Sequence, residues 1–497
     1  MAQKPLTRRH RNRTSRFASE FLRKTQAVNE ACFKLEDNSV SQHSVLDFFR
    51  LRGLRDPYPQ AGRLAEQFAC QNHKLFALLN VRVDHFLDGN DVKLRFQSGN
   101  TVGAIPLLSP TSAAPDYGLI VRPRFPWSGI GLMLGHMGWR ITPIPLKLPL
   151  LRRSERQVPL WVLSSMILVR LKALLDNLNR RFDIVREIRN APRGLVHWSD
   201  YATQHMSKGQ FAHIPCTFPD LRDDRLLKGA IRYSLERHLR ALESQREYGS
   251  LIHGLIDLYQ QTLHRVRDVP PHEPSPRTVA MWLQRPLKAE HFADGIQAIE
   301  WTVEERGLAG LSDLEGIPWI MPMEQFFEAW VETVFDRVAR QLGAELKVGR
   351  RRETTRALHW EPPYAGSQKS LAPDLWLEWH STTLIVDAKY KRHWEEMQIH
   401  SWSEMDEQLK EQHRSDLFQI LAYANLARTT RKIVCLVYPC SPENWTYLSE
   451  KGHLIRKAQV TLGSHALHIW LTAIPMATGV ENVTVPITEA LSSLIRI

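Results

Sequence analysis

Apolar residues recur at helical spacing in some stretches and alternate with polar ones in others. Between residues 20 and 85, Leu46, Phe49, Leu51, Leu64, Phe68, Phe76 and Leu79 fall at intervals that predict a helical start. From about 90 to 150 the period changes. Val92 to Phe96 alternates apolar and polar residues, Ser98-Gly99-Asn100 signals a turn, and Val102 to Leu107 and Gly118 to Val121 read as further strands. Gly and Pro are dense through 123–149, so this portion predicts a small β-rich module. Residues 158–190 read as one helix, with Trp161, Leu163, Ile167, Leu171, Leu174, Leu178, Phe182 and Val185 inside and Arg170, Lys172, Arg180, Arg181, Arg186 and Arg189 on a polar face. Helical spacing returns over 223–267 and 288–306. Between these lie Pro270, Pro271, Pro274 and Pro276, which no helix interior accommodates.

Beyond residue 310 helix and strand patterns alternate. Met323–Leu342 is predicted as a helix, Leu375–Trp379 and Leu384–Val386 as two strands joined by a tight connection, Ser415–Ala427 as a helix, and Lys432–Tyr438 and Leu467–Ile474 as strands. The expected fold class is α/β (α+β) and multi-domain. Residues 1–20 form a basic arm, 21–150 a helical and then β-rich region, 151–310 a mainly helical connector, and 311–497 a mixed sheet flanked by helices.

A length of 497 residues, 43% hydrophobic and 24% charged, fits two to four globular domains at ~100–200 residues each and excludes collagen-like, low-complexity and wholly disordered chains. Five scattered cysteines do not form a disulfide framework or a zinc knuckle. The start of the chain has no apolar core, so it does not read as a secretory signal. The cleanest apolar run, Val158 to Val169, has 12 residues, where a bilayer span needs about 20. The expectation is a cytoplasmic protein with no membrane partner. The formal charge of +12 is concentrated: residues 1–60 hold 12 Lys/Arg against 6 Asp/Glu, and residues 147–190 hold 10 against 4. Such an excess favours a polyanionic partner, most often nucleic acid, with a merely solvated surface as the alternative.

The most informative stretch is Pro373 to Lys389. Asp374 opens one predicted strand and Asp387 closes the next, and a hairpin brings those ends together. Lys389 lies two residues beyond Asp387 and so shares its face. Two converging carboxylates and an ammonium form a costly cluster unless a cation joins them. Oxygen ligands that leave room for water and a substrate phosphate suit Mg²⁺, with Mn²⁺ as a substitute. Asp374, Asp387 and the Ala388 carbonyl would hold the metal, and Lys389 would orient a water or stabilise charge on the phosphate.

This Asp374, Asp387-x-Lys389 pattern resembles the PD-(D/E)xK nuclease superfamily. Asp387 to Lys391, followed by Asp416 to Ala424, more specifically resembles McrC, the nuclease subunit of the McrBC modification-dependent restriction systems. Upstream, Phe326 to Trp330 resembles the McrC helix that supplies a further acidic residue, here Glu328. Pro192 to Gly194, Pro215-Cys216 and Asp223 to Lys228 resemble the stretch before the nuclease domain. The likeness covers about 190–440 and is strongest over 323–424.

The resemblance implies a restriction-endonuclease-like domain over 311–497 and Mg²⁺-dependent DNA cleavage in anti-phage defence. It also implies an McrB-like AAA+ GTPase or ATPase ring that docks on the region before the nuclease domain. Glu328 would then be a further catalytic and metal-binding residue. Gln419 and Tyr423, four apart on one helix face, resemble the QxxxY motif of RecB-like nucleases and would support the site. Lys391 and Arg392, just past the catalytic strand, are candidate DNA contacts. No GxxxxGK[ST] loop is present, so a motor would be another chain. Two alternatives stay open: a nuclease-inactive DNA-binding or motor-activating subunit, and a stand-alone repair or recombination nuclease.

If the concentrated charge holds DNA, deleting residues 1–16 will weaken duplex binding and flatten its dependence on salt without altering metal dependence. Binding titrations over a range of KCl check this, and unchanged binding would reduce the N-terminal charge to a solubility feature.

Overall fold

A computed structural model describes residues 32–49, 57–89, 91–148, 159–178, 181–222, 224–246, 249–284, 290–305, 307–308, 316–392, 407–462, 465–476 and 479–495. The expected basic arm, residues 1–20, lies outside them. The architecture is mixed α/β, with several sheets and helices. The chain divides into two compact units, one built from 1–162 and 307–497, the other from 163–306.

The first unit begins with strands β1 (Cys32–Glu36) and β2 (Val40–Ser44), a one-turn helix, and α1 (Pro57–Leu78). β3 (Val81–Asp88), β4 (Asp91–Ser98), β5 (Thr101–Leu107), β6 (Tyr117–Arg122) and α2 (Trp127–His136) follow. The expected helical start is thus interrupted by strands. Phe33 to Glu36 and Val81 to Asp84 alternate apolar and polar residues at period two, and that local pattern prevails over the sparser helical spacing around it. β2, β4 and β3 form an antiparallel sheet, while β1 runs parallel to β6 in a second sheet. Phe33, Phe68, Phe76 and Phe96 fill the core between these elements.

In the second unit the predicted helix over 158–190 is corrected. α3 (Leu160–Asp176) ends early, and Arg181–Arg189 forms β7, paired antiparallel with β8 (Ile214–Arg222). Asn177 and Asn179 weaken helix propensity past Asp176, and the β-branched Ile184, Val185 and Ile188 beyond them favour extended backbone. The basic stripe therefore does not continue along one helix. Arg170 instead packs over the Trp301 ring and donates to Gln297 at 3.0 Å. α4 (Arg225–Glu243), α5 (Ser250–His264), α6 (Pro276–Gln284) and α7 (Glu290–Val303) complete the unit. The proline run forms the loop before α6, with Pro276 at its first position.

The chain re-enters the first unit as β9 (Trp319–Pro322), which pairs antiparallel with β5 of the N-terminal sheet. Gly103 permits this approach, because a Cβ there would lie 2.2 Å from the Trp319 carbonyl oxygen. β9 runs directly into α8 (Met323–Leu342), whose Phe326, Phe327, Trp330, Val331, Val334, Phe335 and Val338 are all buried, as the spacing predicts. Next come β10 (Glu345–Val348), β11 (Leu375–Trp379), β12 (Thr382–Ala388), α9 (Glu407–Ala424), β13 (Arg431–Cys440), α10 (Pro442–Glu450), β14 (Ile455–Leu462), β15 (His465–Pro475) and α11 (Val480–Ile495). The six strands are ordered β10-β11-β12-β13-β15-β14. β10, β11 and β12 pair antiparallel, β12, β13 and β15 parallel, and β14 returns antiparallel on β15. α8 and α9 both pack against this sheet. Among the described residues no helix is long and apolar enough to cross a membrane.

One polar chain crosses the core of the second unit. Tyr259 donates to the Ser164 carbonyl at 2.6 Å, and His238 lies 3.2 Å from both the Ser164 and Thr302 hydroxyls. Burial, helped by the nearby Arg237 charge, pushes the His238 imidazole down to about 4. The unfolded chain therefore binds a proton that the folded state refuses between about pH 6.5 and 4, so stability falls as pH drops through that window. His238→Gln should remove about 3 kcal/mol of the pH-dependent loss between those limits. Urea unfolding at pH 7 and pH 4.5 checks this, and identical losses in the two proteins would contradict it.

Candidate active site

The register of the β11–β12 hairpin sets the candidate residues. Leu375 pairs with Val386, so Asp374 and Asp387, each one residue beyond that pair, stand side by side. Asp374 Oδ2 accepts a 2.7 Å hydrogen bond from the Ala388 amide, which fixes the first carboxylate to the end of the second strand. Asp387 is 2% exposed, and its Oδ2 lies 2.7 Å from Lys389 Nζ. Lys389 in turn donates to Gln419 Oε1 at 3.0 Å, and Gln419 donates to the Tyr423 hydroxyl at 2.9 Å. Gln419 and Tyr423 come from α9, which packs on β12 and β13. The structure thus gathers Asp374, Asp387, Lys389, Gln419 and Tyr423.

Glu328, half-buried on α8, acts on this group through its charge. Burial raises its carboxyl to about 7, with Glu324 and Asp387 adding to the rise while Arg350 and Lys389 oppose it. Burial, then the charges of Asp387 and Glu328, raise Asp374 to about 8 against the pull of the Ala388 amide and Lys389. Burial also holds Asp387 above the usual carboxylate range despite Lys389. Burial works against the charge on Lys389, but Asp387, Asp374 and Asp416 outweigh it and keep the ammonium's pKa raised. Three acidic groups crowd one ammonium, an imbalance that a cation would relieve.

The donor chemistry fits a hard divalent ion. Asp387 Oδ2 is buried with no well-directed hydrogen bond, the Lys389 ammonium being close but out of line. Among the described residues no three Asp, Glu, His or Cys side chains gather closely enough to hold an ion by themselves. The protein therefore offers a pair of carboxylates, a set that Mg²⁺ completes with water, carbonyl oxygen and substrate phosphate.

The profile of the McrBC 5-methylcytosine restriction system component family matches residues 146–439, more than half of the chain. The chain belongs to this family. The matched span contains every candidate site residue and starts upstream of residue 190, where the motif resemblance began. Two solved structures are similar to this McrBC component. One is a refined half-complex of Thermococcus gammatolerans McrB AAA+ hexamers with bound McrC, at 14% identity and a TM-score of 0.42, covering 93% of this chain and all of that one. The other is the Thermococcus gammatolerans McrBC complex, at 14% identity and a TM-score of 0.26, covering 62% of this chain and 88% of that one. No curated protein matches it.

Beyond the gathered site, this McrBC component commits two further candidates to internal partners. Lys391 Nζ reaches both Asp416 oxygens at 2.7 and 2.8 Å, and the Tyr438 hydroxyl donates to the same carboxylate at 3.1 Å. Arg392 Nη2 donates to the Asp37 carbonyl at 3.4 Å. Trp376 and Trp379 are buried in the sheet, in keeping with packing rather than base stacking, while Trp394 and Trp402 lie outside the described residues.

Asp37 gave no signal in the sequence, since it follows β1 some 350 positions before the residues it meets. It is fully buried. It accepts from the Tyr390 hydroxyl at 2.8 Å and from the Arg124 amide at 2.6 Å, and Arg124 Nη2 donates to the Lys391 carbonyl at 3.1 Å. Burial still holds its carboxyl above the usual range despite Arg124, Tyr390 and Arg392. Asp37→Ala would strand those buried donors and should cost about 3 kcal/mol of stability. Urea unfolding checks this, and a loss below about 1 kcal/mol would show that the network is replaceable.

Proposed function

We propose that the chain is the Mg²⁺-dependent DNA endonuclease subunit of an McrBC-type restriction system. Residues 311–497 would be its PD-(D/E)xK, restriction-endonuclease-like catalytic domain, and an McrB-like AAA+ NTPase ring its motor partner. The observation that carries this reading is the pairing of half-buried Asp374 with buried Asp387, with Lys389 2.7 Å from Asp387, at the ends of adjacent strands of a mixed sheet. Family membership supplies the restriction setting. The sequence has no GxxxxGK[ST] loop, so nucleotide hydrolysis belongs to another chain.

Asp374 and Asp387 would hold Mg²⁺ or Mn²⁺ with the Ala388 carbonyl, and Glu328, which does not close up on the pair, would reach the ion through a water. When bound, the ion supplies polarisation of the scissile phosphate and a lowered pKa for water. Lys389 places a positive charge where negative charge grows on the phosphate. Gln419, backed by Tyr423, holds that ammonium in position. Glu328, raised to about 7, is suited to exchanging a proton near neutral pH. The Ala388 amide orients the Asp374 carboxylate.

Asp387→Asn should reduce Mg²⁺-dependent DNA cleavage by at least about 10²-fold. It should leave the unfolding temperature unchanged or raise it, because one of three repelling acids is neutralised. Cleavage of plasmid by the full chain together with its AAA+ partner checks the first point and a thermal melt the second. Wild-type cleavage by the variant would overturn the assignment.

A further inference from the structure

Glu332 lies one turn beyond Glu328 on α8 and is 2% exposed. Its carboxylate carries three guanidiniums: Arg140 at 2.8 Å, Arg350 at 2.6 Å and Arg351 at 3.1 Å. Three cations on one anion leave a surplus of two positive charges. The arginine side chains remain 45%, 33% and 58% exposed, and among the described residues none forms a second close ion pair, although Arg350 also acts on Glu328 at longer range. One arginine would balance the charge of the carboxylate. The three guanidiniums repel one another, and Glu328, on which Arg350 also acts, balances only part of the surplus, so an anion lying over them would relieve the rest.

Their position gives that surplus a use. Arg350 and Arg351 belong to the turn Gly349–Arg351 after β10. The Gly349 amide donates to the Asp374 carbonyl at 2.8 Å, and a Cβ at Gly349 would sit 2.6 Å from the Pro373 carbonyl oxygen, so only glycine lets the turn dock there. Thr354 Oγ1 donates to the same Pro373 carbonyl at 2.6 Å. The turn is thus fixed to the backbone that presents Asp374. A site rich in carboxylates repels a nucleic-acid backbone, and a neighbouring cation array answers that repulsion. Guanidinium forks match phosphate oxygens in pairs, which an ammonium does not.

We propose that Arg140, Arg350 and Arg351, gathered on Glu332, form a clamp for the phosphodiester backbone of duplex DNA, setting phosphates beside the Asp374–Asp387 pair. This rests on the nuclease reading for the identity of the ligand, though phosphate binding itself needs no cleavage. Glu332 is a positioning residue, holding three side chains from two separate segments to one surface.

The test is fluorescence anisotropy of a labelled duplex with the full chain, in EDTA and over a range of KCl. Cleavage with Mg²⁺ and thermal melts are measured in parallel. Arg350→Gln with Arg351→Gln should weaken binding at least tenfold at low salt and lower the slope of log affinity against log salt by about 1.8, at ~0.9 per phosphate contact. Arg351→Gln alone, at the most exposed position and so the safest for folding, should lower it by about 0.9, and Arg351→Lys should restore most of the slope. A loss of folding would not change the slope in this graded way. If wild type cuts DNA while these variants bind with an unchanged slope, the clamp is overturned and the nuclease reading stands. If wild type does not cut but the variants lose slope, the clamp stands and the nuclease reading fails. Absence of duplex binding by wild type would overturn the clamp.

Discussion

The buried carboxylate of Asp37 is the constraint on which the site depends. It comes from the turn after the first strand, yet its partners are the segment that continues the catalytic strand. Tyr390 donates to its side chain and Arg392 to its carbonyl. Arg124 completes the junction by donating its amide to Asp37 and its guanidinium to Lys391. Its guanidinium also lies 4.9 Å from the centroids of both the Phe125 and Tyr390 rings. An ionic group buried this deeply tolerates little displacement, because each lost contact leaves a charge or donor unsatisfied in a medium that solvates it poorly. The direction in which β12 leaves the sheet, and with it the placement of Lys389, is thereby tied to the N-terminal module.

A second junction reinforces the first. β9 is a strand of the N-terminal sheet and becomes α8 without an intervening loop. Asn100, at the turn before β5, donates to Glu324 on the first turn of that helix at 2.9 Å. Glu328 therefore reaches the acidic cluster from an element anchored in one sheet, while Asp374 and Asp387 reach it from another. Rigid elements rather than loops hold the like charges together, which is how a fold keeps repelling groups in place before a ligand balances them.

The C-terminal elements were legible because their signals are local. The helix over 323–342 has strong periodicity, the hairpin over 375–388 reads as two apolar runs about a tight connection, and hairpin register with one step of alternation brings Asp374, Asp387 and Lys389 together. Between 158 and 190 a continuous apolar count concealed a change of period, and the helix gave way to a strand after Asp176. Lys391 and Arg392 looked like free cations because their partners, Asp416 and Asp37, are set by tertiary contacts across 25 and 355 positions. The Glu332 cluster was equally hidden. Its arginines come from residues 140 and 350–351, and nothing in their local sequence distinguishes them from other surface charges. Pairing across long separations is the information that periodicity does not carry.

The discontinuity of the first unit bears on how the chain is made. Its N-terminal sheet lacks β9 until residue 322 has left the ribosome, and Asp37 lacks its phenolic partner until Tyr390 follows. Residues 163–306, by contrast, form their own compact unit from consecutive chain. Synthesis from the N-terminus therefore leaves the earliest segment waiting, with an unpaired sheet edge and a buried-type carboxylate still in water, while a later segment completes its core first. The acidic cluster comes together only in the last third of translation, so a chain stalled before Asp387 carries no assembled site.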